Sequence, residues 1–157
     1  MNQKKVSESL ITMTELVLPN YTNQLGNLLG GRLMHWIDIC AAVCASKHNQ
    51  RVCVTASVDK IDFRHPIKLG DAVTLVASVN RVFSTSMEIG VKVYAENFKE
   101  GKKVHTNTAY LTFVSVDNEG KPVKAIEVVP ETDEEKRRYE EALQRREARL
   151  KSRFKQV

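Results

Sequence analysis

Residues 23–46 (NQLGNLLGGRLMHWIDICAAVCAS) constrain this chain more than any other stretch. A polar, glycine-containing loop runs into a segment that is apolar on almost every side of a helical wheel, with one carboxylate, Asp38, in its middle. Leu33, Met34, Trp36, Ile37, Ile39, Cys40, Val43 and Cys44 leave little room for a solvated face, so the helix expected over 32–47 is predicted to be buried. Removing a charge from water is costly, and buried acids are rare unless paired or used. Asp38 is therefore either a hydrogen-bonded structural group or a chemical one, and burial is expected to raise its pKa above ~3.9.

What surrounds that helix reads mainly as strand. Residues 10–18 are rich in β-branched and aliphatic side chains and stop at Pro19-Asn20; residues 51–63 and 72–83 have the same character. In 87–97, Met87, Ile89, Val91, Val93 and Ala95 alternate with Glu88, Gly90, Lys92, Tyr94 and Glu96, the pattern of a half-buried antiparallel strand. Glu100-Gly101-Lys102 closes a hairpin and 104–116 returns as a fifth strand. One antiparallel sheet wrapped around one helix satisfies this order, giving an α+β domain over 1–130. A single layer around a helix leaves an open flank, so dimerisation is expected.

Residues 131–157 differ in kind. Thr132 with Glu135 makes a capping box, and Asp133 and Glu134 suit the positive end of a helix. The segment then turns basic (Arg145, Arg146, Arg149, Lys151, Arg153, Lys155, opposed by Glu147), with a thin apolar stripe of Tyr139, Leu143, Leu150 and Phe154. A surface helix with a solvated charged face is the first reading, and contact with a neighbouring subunit or with phosphates the alternative.

Composition narrows the functional classes. With 157 residues, 42% hydrophobic and 27% charged, the chain fits one globular domain. Three Cys without a C-x-x-C arrangement favour a reducing compartment, and no secretory h-region or run of ~18 apolar residues is present, so a cytoplasmic protein with no membrane partner is expected. The net charge of +5 favours an anionic partner. No helix-turn-helix or RNA-binding motif is visible, and no nucleic acid is expected. His48, His65 and His105 lack metal-like spacing, so no metal is predicted, and without G-x-S-x-G a serine hydrolase is not supported.

Asp38 shares its helical face with Gly31, Met34, His35, Ala41, Ala42 and Ala45, mostly small residues. Gly30 and Gly31 open the helix, where unpaired N–H groups and the dipole favour an oxyanion. Asn23 and Asn27 supply amides just ahead. Carboxylate, amide and helix N-terminus suit carbonyl chemistry: one activates water, one orients, one holds negative charge. Arg81 and the Ser84-Thr85-Ser86 turn offer a cation, hydroxyls and turn N–H groups to a phosphate.

The motifs N-Q-L-G-N-L-L-G-G-R-L-M-H-W-I-D, V-T-A-S-V-D-K-I-D-F, S-T-S-M-E-I and E-G-K-P…V-P-E-T-D-E-E-K resemble the hotdog-fold acyl-CoA thioesterases, the acyl-CoA hydrolase family with brain-type and small bacterial members. The resemblance runs over about 12–145. It implies hydrolysis of acyl-CoA with no cofactor beyond the coenzyme A of the substrate. It places the catalytic carboxylate at Asp38 and the loop asparagine at Asn23, with Asn27 as fallback. It brings these two from different protomers of a dimer, often within a trimer of dimers. It also implies that Gly31 stabilises the oxyanion, that Thr55 bonds water or Asp38, and that Arg81, Ser84, Thr85 and Ser86 meet coenzyme A phosphates. Two rivals are a 3-hydroxyacyl thioester dehydratase, which pairs His with an acid, and a non-enzymatic module responsive to CoA or binding nucleic acid through the basic tail.

Overall fold

The computed structural model describes residues 2–155, with side chains through 153; Phe154 and Lys155 continue the last helix, but their side chains lie outside the described set, as do 1, 156 and 157 entirely. The order is β1 (Gln3–Lys5), β2 (Ile11–Leu16), α1 (Gly30–Asn49), β3 (Cys53–Val58), β4 (Ala72–Phe83), β5 (Ser86–Asn97), β6 (Lys102–Ser115), β7 (Glu127–Val129) and α2 (Asp133–Lys155). β2-β4-β5-β6-β3 form one antiparallel sheet. α1 lies against one face, as expected. The alternation in β5 decides which face: Met87, Ile89, Val91 and Val93 are all at 0% exposure, in one core with Leu33, Trp36, Ile37, Cys40, Ala41, Cys44 and Ala45 of α1.

The opposite face of the sheet is solvated only in part: Lys92 and Tyr94 of β5 are half-buried, while α2 covers the rest, with Glu88 at 0% exposure, Gly90 buried, and Ser78 and Asn80 buried on β4. The C-terminal helix thus docks on its own sheet, with Ala142 fully buried and Tyr139 and Leu143 half-buried. Its stripe is thin because polar groups complete the contact. Its capping box forms as expected, with the Glu135 N–H donating to Thr132 Oγ1 at 3.1 Å and the Thr132 N–H to Glu135 Oε1 at 3.3 Å.

Other differences are local. The strand expected over 51–63 ends at Val58; beyond it the chain still follows β6, through the Asp59 N–H on the Tyr110 carbonyl (2.9 Å) and Asn107 Nδ2 on the Asp62 carbonyl (2.6 Å). A side chain has replaced the ladder there. β1 and β7 pair in parallel, three residues each, too short to show a period. They are tied to the end of α1 by Lys4, whose ammonium donates to the Lys47 carbonyl at 2.9 Å, where the helix dipole favours a cation. No helix among the described residues is long and apolar enough to cross a membrane.

Candidate active site

Asp38 sits in the third turn of α1 and is half-buried, not enclosed on all sides. The expectation of a helix dry all round is corrected: Gly31, His35, Ile39 and Val43 are exposed in the single chain, because the sheet curls around the rest of the helix and leaves this flank open. β3 borders that flank. From it Thr55 donates its hydroxyl to Asp38 Oδ1 at 2.8 Å. The β3–β6 register shifts between Thr55 and Ser57, so Ala56 is an extra residue directly after the one that holds Asp38. Such bulges re-aim side chains, and they recur beside active sites. Val52, just ahead of β3, and Val54 and Val58 within it stay exposed, and β3 is an edge strand with its outer side unpaired among the described residues.

A second cluster forms at the start of α1. Asn23 Oδ1 accepts the N–H groups of Leu25 (2.9 Å) and Asn27 (3.1 Å), a turn that fixes the amide and leaves Nδ2 without a partner among the described residues. Asn27 Oδ1 is buried with no partner, so Asn23 is the more accessible amide. No side chain caps α1, and helical geometry leaves the N–H groups of Gly30 and Gly31 unpaired. Gly31 faces open space, whereas Gly30 lies against the Phe63 ring. Asn23, Asn27, Gly30, Phe63 and His65 line a cavity of about 250 Å³.

Asp38 lies seven residues beyond Gly31, a rise of about 10 Å along the helix, and among the described residues no hydrogen bond joins it to Asn23. Asp38 with Thr55, and Asn23 with the start of α1, are two separate clusters.

The β4–β5 turn supplies a third feature. Thr85 and Ser86, with Ser57, Arg146, Arg149 and Arg153, line a groove of about 230 Å³ between sheet and α2. Ser84 forms the turn in a left-handed conformation (φ 59°), and its carbonyl accepts the Ala125 N–H. Arg81 does not join them: its guanidinium donates to the Tyr139 carbonyl at 3.1 Å and stacks on the Tyr139 ring. The cations at this groove are Arg146, Arg149 and Arg153 instead. Their spacing of three and four marks one helical face in the sequence, but which strand turn they meet is a tertiary matter. A wholly solvated basic face is thereby corrected.

The remaining nucleophiles are poorly suited to chemistry. Burial pushes the Cys40 thiol up to about 11 and the Cys44 thiol to about 12, with Cys40's charge adding to the latter, and raises Cys53. No group of three or more potential metal ligands occurs among the described residues.

Residues 25–102 match the model of the Thioesterase superfamily. The chain is 44% identical over 138 residues to an uncharacterized acyl-CoA thioester hydrolase of Bacillus subtilis, covering 88% of this chain and 80% of that one. Among solved structures it is similar to an acyl-CoA hydrolase of Staphylococcus aureus in complex with butyryl coenzyme A, coenzyme A and coenzyme A disulfide (40% identity, TM-score 0.91, 98% of this chain and 94% of that). That hydrolase has also been solved with alanine replacing an aspartate, a threonine or an asparagine. A hexameric acyl-CoA thioesterase superposes with a TM-score of 0.93 at 41% identity, over 97% of either chain.

Proposed function

The chain belongs to the thioesterase superfamily, and on that premise we propose that it is an acyl-CoA hydrolase, splitting acyl-CoA and water into a free acid and coenzyme A, with its site completed across a dimer. The observation that carries the mechanism is the Thr55–Asp38 hydrogen bond, which holds a carboxylate on the open flank of α1. Aspartate, threonine and asparagine, the residue types replaced in the staphylococcal hydrolase, are also those of these two clusters.

Asp38 takes a proton from water as the water oxygen bonds to the thioester carbon. The carbonyl electrons move onto oxygen, and the N–H groups of the partner protomer's helix start, at Gly30 and Gly31, with the Asn23 amide beside them, hold that charge. Collapse breaks the C–S bond, and the proton on Asp38 passes to the departing thiolate. In the nucleophilic variant Asp38 itself bonds to the carbon, expels the thiolate and leaves an anhydride for water to open. Label in the Asp38 carboxylate after a single turnover in ¹⁸O-water establishes the second route, because only opening of the anhydride at the Asp38 carbon puts it there.

A second chain would bring its Asn23 to Asp38, since within one chain no hydrogen bond joins the two. The unpaired edge of β3 and the exposed Val52, Val54, Ile39 and Val43 supply a surface for a second copy, since a bare apolar edge strand is otherwise an aggregation risk. Three such dimers make the hexamer that the similar hexameric thioesterase supports. The Thr85–Ser86–Arg146–Arg153 groove takes the phosphate-bearing end of coenzyme A. A dehydratase would pair an acid with histidine, whereas the hydrogen-bond partner of Asp38 among the described residues is Thr55. Thiol release from an acetyl- to palmitoyl-CoA series tests the activity, and absence of turnover with all of them overturns it.

A further inference from the structure

Among the described residues Glu88 is the one carboxylate sealed between sheet and α2, at 0% exposure, and the reaction above makes no use of it. Arg145 grips it bidentately, Nε to Oε2 at 3.0 Å and Nη2 to Oε1 at 2.7 Å, while Asn80 Nδ2 donates to Oε1 at 2.9 Å. Arg145 also lies over the Tyr110 ring at 3.6 Å. One turn on, Arg149 Nη1 is 3.7 Å from Glu88 and binds both oxygens of Asp59 at 3.0 and 3.2 Å. A buried ion pair adds little net stability over apolar packing, and its better-attested use is to fix register. Apolar packing contributes little to that register, which Arg81, bonded to the Tyr139 carbonyl, also helps to hold. Ala142 is the sole fully buried apolar side chain of α2 among the described residues, and Leu150 is 40% exposed.

The groove depends on that register. Arg146, Arg149 and Arg153 reach it from one helical face, and a slip of a single residue would turn them by about 100° away from Thr85 and Ser86. Resting on the hydrolase reading above, we infer that Glu88 is a positioning residue for coenzyme A recognition: by pinning Arg145, and Arg149 together with Asp59, it aims the neighbouring arginines at the phosphates of the substrate. It touches neither substrate nor groove. The specificity it confers is for acyl-CoA over thioesters lacking the nucleotide.

The test compares acyl-CoA with the matching acyl-pantetheine, in the wild type, Glu88→Gln and Asp59→Asn, each checked for folding by thermal melting. Glu88→Gln should raise KM for acyl-CoA about tenfold, leave kcat within about twofold, and leave KM for acyl-pantetheine unmoved. Asp59→Asn, which frees Arg149 without disturbing the sealed site, should shift KM the same way by less. A merely structural role would depress both substrates alike, and that result, or wild-type KM values in both variants, overturns the proposal. If the wild type shows equal KM for the two substrates, the groove and Glu88's role fall while the hydrolase stands. If it hydrolyses neither, the hydrolase reading fails. Calorimetric binding of coenzyme A then decides the groove alone, with about tenfold weaker binding to Glu88→Gln supporting it and equal binding refuting it.

Discussion

Thr55 reaches from an edge strand to Asp38 in the middle of the central helix, hydroxyl to carboxylate oxygen at 2.8 Å, and no other side chain among the described residues hydrogen-bonds that carboxylate. The contact fixes one oxygen and leaves the other for a proton. It also sits beside the bulge at Ala56, at the border between the open flank of α1 and the groove under α2.

Replacing Asp38 by Asn should lower kcat by about 10³-fold, the middle of the range for loss of a general base. Thr55→Val, which keeps a β-branched side chain but no donor, should cost about 10- to 100-fold through a misoriented carboxylate. Thiol-release kinetics on variants with native melting temperatures check both. Turnover within twofold of wild type for Thr55→Val would remove it from the mechanism.

Asn23→Ala and Asp38→Ala should each be nearly inactive alone and complement one another when subunits are mixed. Random pairing makes half the dimers mixed, each with one intact site of two, so about a quarter of wild-type activity should return. Co-expression with two affinity tags isolates the mixed dimer. An inactive mixed dimer would show that each site is built from a single chain.

Truncating Glu88 to Ala should destabilise the protein by about 3 kcal/mol or more, because Arg145 would keep a partly buried charge without its partner. Replacing the pair together, by Glu88→Leu with Arg145→Met, should recover most of that loss. Denaturant titration of the wild type and the two variants gives the comparison, and an equal loss in single and double variants would contradict it.

Gly90→Ala should cost about 1–3 kcal/mol by overpacking, since the added Cβ would stand 2.7 Å from Asn80 Nδ2 on the adjacent strand. Moving Asn80 would also disturb its bond to Glu88. A melting temperature within a degree of wild type would show that Asn80 has room to move.

Burial lowers the His48 pKa below its ordinary 6.5; the ring is at 0% exposure and Nε2 lies 2.7 Å from the Ile126 carbonyl. Below about 6.5 the unfolded chain binds a proton the folded one resists, so stability is complete above that pH and falls as pH drops towards the folded value. His48→Gln should flatten that slope between neutral and mildly acidic pH, measured as melting temperature against pH. An unchanged slope would assign the acid sensitivity to other groups.

Much of the fold was legible because its signals are local. The alternation in 87–97 gave β5 and the side of it that meets α1, Thr132 with Glu135 marked the start of α2, and strand β4 lies over the residues expected for it. The outer face of the sheet was not legible. Glu88, Gly90 and Lys92 look like solvent residues when alternation alone is read, and only the docking of α2 shows that Glu88 is sealed. The short β1–β7 pair escaped notice because three residues carry no period.

The site divides in the same way. Residue chemistry and the family motifs singled out Asp38, Asn23, Thr55 and Gly31, because a carboxylate in an apolar helix and glycines at a helix start are unusual wherever they occur. Tertiary structure decided the partners: Thr55 meets Asp38, Arg81 binds the Tyr139 carbonyl, and Arg146 and Arg153 line the groove at the β4–β5 turn. Propensity, period and capping act over a few residues and are written in the sequence. Which distant charges meet, and which flank of α1 is left uncovered, follows from how a curved sheet and two helices pack.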